Sequence, residues 1–288
     1  MTQAEEHQIL ETEGQFTVAV KNGQELSDFS WSDGRILLSN RRVILTSDAG
    51  NRTITLSDLT GISGAAGASK SIGALSTYLN LWLGDDMLVV SAEDHIEFRR
   101  GLYSALIGES VLKAKHPAVE GGVIQDEPWE QARLSVEPEA LTATLQSGTR
   151  VALQLSEISS VATEERTVAD TKRRIIAVSH AVDGRNIETH LTGPPQTQLF
   201  SKSFLKHGER GNETDADLEP GEEAVLMALY SGVSPFKIPE FVGRDVDEVE
   251  AIYERLIDLD ILDRVRVRNE VTLTSSGRSI ASDAMGDQ

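Results

Sequence analysis

The sequence predicts an α+β protein: two tandem β barrel or sandwich domains, each closed by a C-terminal helix, followed by a winged helix-turn-helix. Three observations carry this prediction. Short runs of alternating apolar residues, separated by Gly, Asn and Asp turns, fill the chain as far as Leu191. One such stretch, Ile54 to Ile62, recurs as Leu153 to Val161, and a single echo at a domain-sized period is the mark of a duplicated domain. From about Glu219 the apolar spacing changes to a helical period.

The first domain is expected over 1–115. Its strands are Phe16–Val20, Ile36–Leu38, Arg42–Leu45 and Thr53–Leu56, with turns at Lys21-Asn22-Gly23, Ser32-Asp33-Gly34 and Asp48-Ala49-Gly50-Asn51. Beyond the small-residue loop Gly64 to Gly73 come Tyr78–Leu83 and Met87–Val90, joined through Gly84-Asp85-Asp86. Ser91 with Asp94 predicts a capping box for the closing helix, in which Ile96, Tyr103, Leu106 and Ile107 lie close to helical spacing.

The second domain is expected over 122–207, after a junction marked by Gly121-Gly122 and Pro128. Gly34 to Leu38 matches Ala132 to Val136, and Trp31 and Trp129 introduce the two stretches. A hairpin, Ile175–Val182 with Ile187–Leu191, turns at Asp183-Gly184, and a short helix follows near Gln198–Lys206. An acidic linker covers 208–218.

The third domain is expected over 219–288. Pro220 starts a helix whose stripe is Val225, Leu226, Leu229 and Tyr230, ending at Gly232. Ser234-Pro235 opens a short helix with Ile238 and Phe241, stopping at Gly243. Asp245 with Glu248 caps a third helix with inner face Val249, Ile252, Leu256 and Leu259. Val265–Arg268 and Val271–Thr274 pair as a wing, and a last helix follows Ser275-Ser276-Gly277.

Composition narrows the function. The 288 residues carry 27 Lys and Arg against 46 Asp and Glu, a net charge of −19. Arginine outnumbers lysine by 19 to 8, a balance that suits a cytoplasm of molar salt, where acidic repulsion is screened within about 3 Å. Such a chain repels polyanions, which argues against non-specific binding to nucleic acid or anionic membrane. No apolar run is long enough for a transmembrane helix and the N-terminus has no signal-peptide pattern, so membrane insertion is not expected and a cytoplasmic location is. Cysteine is absent, which removes disulfides, thiolate metal sites and cysteine nucleophiles.

No motif supplies catalysis, a metal or a cofactor. Gly64 to Ser71 approaches a phosphate-binding loop, but Ser69 stands where the second glycine is needed, and Ile72 to Thr77 is too short for the required helix. His180 and His190 lie on opposite faces of their hairpin and cannot share a metal; His180 falls with Val178, Val182 and Ile187 as a packed residue. Arg41-Arg42 and Lys172-Arg173-Arg174 are candidate anion or partner contacts, with solvated basic turns as the plainer reading.

A winged helix suggests DNA, yet this third helix carries Asp245, Asp247, Glu248, Glu250, Glu254 and Asp258, with Arg255 as its interior base. Six carboxylates do not suit a helix that must approach phosphates. The domain therefore reads as protein-binding, with a DNA-binding transcriptional regulator as the alternative. Candidate partner-binding residues are Arg264, Arg266 and Arg268 on the wing and Ile280, Ala284 and Met285 on the last helix. The plainer reading of the arginines is pairing with neighbouring acids, and of Ile280 and Ala284 core packing.

Two long stretches carry a resemblance. Ala228 to Gly243 followed by Asp247 to Leu256, and Gly34 to Leu45, closely resemble the archaeal taxis protein CheF family, as does the acidic, haloarchaeal composition. The resemblance implies pleckstrin-homology-like β domains and an adaptor without catalytic residues. Its expected partners are phosphorylated CheY, CheC and CheD on one side and archaellum accessory or switch proteins on the other, with recruitment to the cytoplasmic face of the archaellum motor. A homodimer is also implied as plausible for the family.

Overall fold

Ile36, Leu38, Val43 and Leu45 are fully buried and alternate with more exposed neighbours, the period-two pattern of strands with one face on a core. The computed structural model describes residues 5–26, 30–64, 78–212, 218–259 and 261–262. They form two units, one holding two curled antiparallel sheets and two helices, the other built on helices alone.

The first sheet contains β1 (Gln8–Lys21), β2 (Gln24–Glu25), β3 (Ser32–Ser39), β4 (Arg42–Ser47), β5 (Gly50–Thr55), β6 (Gly61–Ser63), β7 (Leu79–Leu83) and β8 (Asp86–Ala92). Their order is β5-β4-β3-β1-β8-β7-β6, with β2 as a short hairpin partner of β1. The second contains β9 (Val111–Glu120), β10 (Val123–Ile124), β11 (Glu130–Glu137), β12 (Ala140–Leu145), β13 (Arg150–Gln154), β14 (Ile158–Val168), β15 (Thr171–Val182) and β16 (Arg185–Thr192). Its order, β13-β12-β11-β9-β16-β15-β14 with β10 on β9, repeats the first strand for strand. The repeat reaches fine detail. In each sheet a 3₁₀ turn, Leu56–Asp58 or Leu155–Glu157, leads from the fifth strand towards the sixth, and the residue after it donates its N–H to the carbonyl of the turn's buried leucine.

Helix α1 (His95–Ile107) follows the first sheet and α2 (Pro195–Asn212) the second. Phe98, Leu102, Tyr103 and Ile107 of α1 and Phe200, Phe204 and Leu205 of α2 enter one continuous core shared by both sheets. Burying an apolar side chain of this size stabilises by about 1.5–3 kcal/mol, which favours docking of both helices.

The structure revises several local expectations. Ser32-Asp33-Gly34 lies within β3, not in a turn, and Gly34 pairs with Gly14 of β1. A side chain on Gly14 would strike the Ser91 carbonyl, and one on Gly34 the Thr46 carbonyl, so glycine permits the close strand approach there. Asp94, not Ser91, caps α1, accepting from the Glu97 N–H at 3.2 Å, and Ile96 is exposed because the buried stripe runs through Phe98 and Leu102. The strand β9 crosses the expected junction, and Gly121-Gly122 forms the turn into β10. Helix α2 continues to Asn212, beyond the expected end near Lys206, with its backbone pressed at Gly208 against Leu155.

The smaller unit contains α3 (Pro220–Tyr230), α4 (Ile238–Val242), preceded by a 3₁₀ turn Pro235–Lys237, and α5 (Val246–Asp258). Asp245 caps α5 as expected, accepting from the Glu248 N–H at 2.7 Å. Val225, Ala228, Ile238, Val249 and Leu256 form its core. Tyr230 and Leu259 depart from their expected inward positions and are 56% and 40% exposed; Phe241 of the short helix is 64% exposed.

Candidate functional site

The six partner-binding candidates, Arg264, Arg266, Arg268, Ile280, Ala284 and Met285, lie outside the described residues, as do the wing and the last helix. All of the phosphate-loop-like stretch except Gly64 does too. What the structure defines is the helical scaffold before them and the double-sheet body.

On the scaffold, α5 presents Asp247, Glu248, Glu250, Glu254 and Asp258 to solvent. Its interior cation is directed inward within the unit: Arg255 Nε lies 2.9 Å from Glu222 of α3, and its Nη1 lies 4.0 Å from Glu219. Glu222 is only 3% exposed and also accepts from the Glu219 N–H at 2.8 Å. A phosphate approaching α5 would thus meet carboxylates, with its one arginine already engaged by a buried acid.

In the body, the expected basic turn Arg41-Arg42 is a clasp. Arg42 Nε donates to Glu6 at 2.8 Å, Ser39 Oγ donates to the same carboxylate at 2.7 Å, and the His7 N–H donates to Asn40 at 3.0 Å. These bonds hold the chain entering β1 against the β3–β4 turn, and those from Arg42 and Ser39 keep the Glu6 carboxyl below its ordinary range. A cavity of about 450 Å³ opens near the Gly14–Gly34 pairing, lined by Glu13, Gln15, Asp33 and Glu93 among others. Asp33 already accepts from Gln15 at 2.7 Å, and among the described residues no group of three or more His, Cys, Asp or Glu side chains is arranged for a metal.

Two buried polar clusters went unread in the sequence. Between the helices, Tyr103 Oη meets Ser203 Oγ at 2.7 Å and His207 Nε2 at 3.2 Å, while Ser203 Oγ also donates to the Ile62 carbonyl. This network ties α1 and α2 to β6. In the second sheet, Thr189 Oγ1 lies 2.9 Å from His180 Nε2 and 2.7 Å from His116 Nδ1, with the two rings stacked at 6.0 Å. His180 is packed as expected, and His190, which pairs with Glu188, points to the other face. No short motif signals these clusters, because their members meet only through strand register and helix packing.

Burial pushes His180 and His207 down to about 4; the nearby His116 adds to the shift of His180, and Arg99 and Arg210 to that of His207. In the unfolded chain both return towards 6.5, so protons bind the unfolded state first as pH falls. Their contribution to stability is complete above pH 6.5 and declines as pH falls towards 4. Thermal unfolding followed between those limits should show this decline, and His180→Gln with His207→Gln should flatten it. An unchanged slope in the double variant would remove these histidines as its source.

The comparisons with known proteins bear on the whole chain. The family described as archaeal chemotaxis signal transduction system protein F matches residues 8–210. The chain belongs to this family. A second family, described only as a domain of unknown function, matches residues 217–286. Among relatives of the archaeal chemotaxis protein F family, taxis protein CheF1 of Halobacterium salinarum is 38% identical over 98% of this chain and 99% of its own length. Taxis protein CheF2 of the same organism is 25% identical over 88% of this chain and 90% of its own. The chain therefore has a role in chemotaxis signal transduction, in a signalling family rather than a known enzyme family. Among the described residues no helix is long and apolar enough to cross a membrane.

Proposed function

We propose that this chain is a taxis adaptor that binds the phosphorylated response regulator CheY, together with CheC and CheD, and relays the signal to accessory proteins of the archaellum motor switch. The observation that carries this reading is the match to a taxis protein along 98% of the chain. The strand order supports pleckstrin-homology-like domains: four strands from β5 to β1 continue into three from β8 to β6, and a helix follows each sheet. The helix, short helix, helix order of α3, α4 and α5 supports a winged helix-turn-helix in the C-terminal part.

Phosphorylation can act through such an adaptor only if the two receiver states bind with different affinity. A coupling of about 1–3 kcal/mol, or about 5–150-fold, is the usual size. Titration calorimetry in molar KCl against the cell's CheY-type receiver, with and without beryllofluoride, should show tighter binding to the activated form. Equal or absent binding would overturn the proposal. Docking is proposed on Arg264, Arg266 and Arg268 with Ile280, Ala284 and Met285; unchanged affinity after charge reversal at Arg264 and Arg266 would remove the wing. The acid-bearing face of α5 and the engagement of Arg255 weigh against the DNA-binding alternative.

A further inference from the structure

The hairpin of β14 and β15 outgrows its sheet. β16 pairs with β15 from Val182 back to Ile176, whereas β14 remains paired as far as Val168 opposite Thr171. The last five pairs, Glu164–Val168 with Thr171–Ile175, thus form a two-stranded ribbon beyond the end of β16. It is anchored at both ends: Ile175 at its base and Val168 beside its turn are fully buried in a small cluster with Ala177 and Trp129.

Lys172, Arg173 and Arg174 are exposed on this ribbon, inside β15 rather than in the turn expected before it. The register sets Arg173 directly opposite Arg166, and residues opposite each other share a face. Like charges so placed destabilise a ribbon. Arg166 pairs with Glu164 on its own strand, while Arg173 has no carboxylate partner among the described residues. Lys172 and Arg174 lie on the other face; Glu165 stands opposite Arg174 in the register without forming an ion pair, and Asp170 sits in the turn. Four cations on one anchored ribbon are out of keeping with a chain of net charge −19.

We infer that this ribbon is a docking site for an acidic, extended segment of a partner protein, with a carboxylate bridging Arg166 and Arg173. Arginine forks bind carboxylates in bidentate geometry, and a bridging carboxylate would turn the repulsive pair into a favourable one. Within the adaptor reading the ribbon is a second contact, separate from the receiver's.

The test uses the full chain at the lowest KCl that preserves its thermal transition, with fluorescence anisotropy of a labelled Glu-Ser repeat peptide. Binding of that peptide and none of its Gln-Ser counterpart is expected. The substitution Arg173→Gln should weaken it at least about tenfold. The same variant should melt no earlier than the parent, because a like-charge contact is relieved; a merely structural role predicts earlier melting. Arg133→Gln, which removes a cation paired with Glu109 elsewhere, should leave binding unchanged. Equal binding by parent and variant, equal loss in Arg133→Gln, no binding by the parent, or a duplex oligonucleotide that competes through the same residues would each overturn the inference. The receiver is absent from this assay, so its failure and that of the adaptor reading are distinguishable.

Discussion

Replacing Gly208 by alanine should lower the stability of the chain by about 3 kcal/mol, the upper end of the cost of overpacking. The sign is the informative part. In an unconstrained helix interior, glycine to alanine stabilises by about 1 kcal/mol. At Gly208 of α2, however, the added methyl would sit 2.8 Å from Leu155 Cα and 3.0 Å from its carbonyl carbon, and nearer still to the oxygen. These are backbone atoms of a turn whose leucine is buried in the core, so no rotamer change relieves the clash. Either α2 or the turn must move, and both are packed. Gly211 lies three residues further along the same helix and has no heavy atom within 4 Å of an added Cβ. Gly211→Ala should therefore be neutral or stabilising by less than about 1 kcal/mol, helix propensity being its main consequence. Chemical denaturation of both variants checks the pair, and a stabilising Gly208→Ala would show that α2 does not press on Leu155.

Much of this architecture was legible because duplication left the same local grammar twice. Alternation marked most strands, and the Ile54–Ile62 and Leu153–Val161 echo corresponds to two strand, 3₁₀ turn, strand units. The failures share a cause. Gln8–Gln15 carries Glu11 and Glu13, and Val111–Glu120 carries Lys113, Lys115 and Pro117, so charge obscured alternation in both strands, although each pairs with strands on both sides. Gly208 read as a linker residue because sequence cannot distinguish a glycine required by close approach from one required by a turn. The ribbon's cations were visible as Lys172-Arg173-Arg174, but their meaning depended on register, which alone sets Arg173 opposite Arg166. The proposed receiver-site residues all lie outside the described ones; on the helices before them the acidic character of α5 was legible in the sequence, whereas Arg255 required its partner Glu222 to be interpreted.

Phe204→Ala is expected to cost about 3–5 kcal/mol, the range for removing a buried phenyl ring. Phe204 is fully buried in α2 and packs edge-on against Tyr103 of α1, with ring centroids 5.1 Å apart. Their meeting place lies beside the bonds from Tyr103 to Ser203 and from Ser203 to the Ile62 carbonyl, so the cavity opens where the two helices are joined. A loss of that size is a large fraction of the 5–15 kcal/mol typical of a folded domain. The core is continuous across both sheets, which predicts a single calorimetric transition for the double-sheet body that moves down as a whole. Two transitions, with only the second-sheet melt displaced, would show instead that each sheet is stable alone and that the shared core is a docking surface. Tyr103→Phe separates packing from polarity. It retains the ring and leaves Ser203 bonded to Ile62, but deprives His207 Nε2 of the hydroxyl at 3.2 Å. Its cost should be about 1–3 kcal/mol, that of a buried polar group left without its partner, and smaller than the loss at Phe204. The reverse ranking would assign the union of the two halves chiefly to the hydrogen bonds, not the aromatic contact.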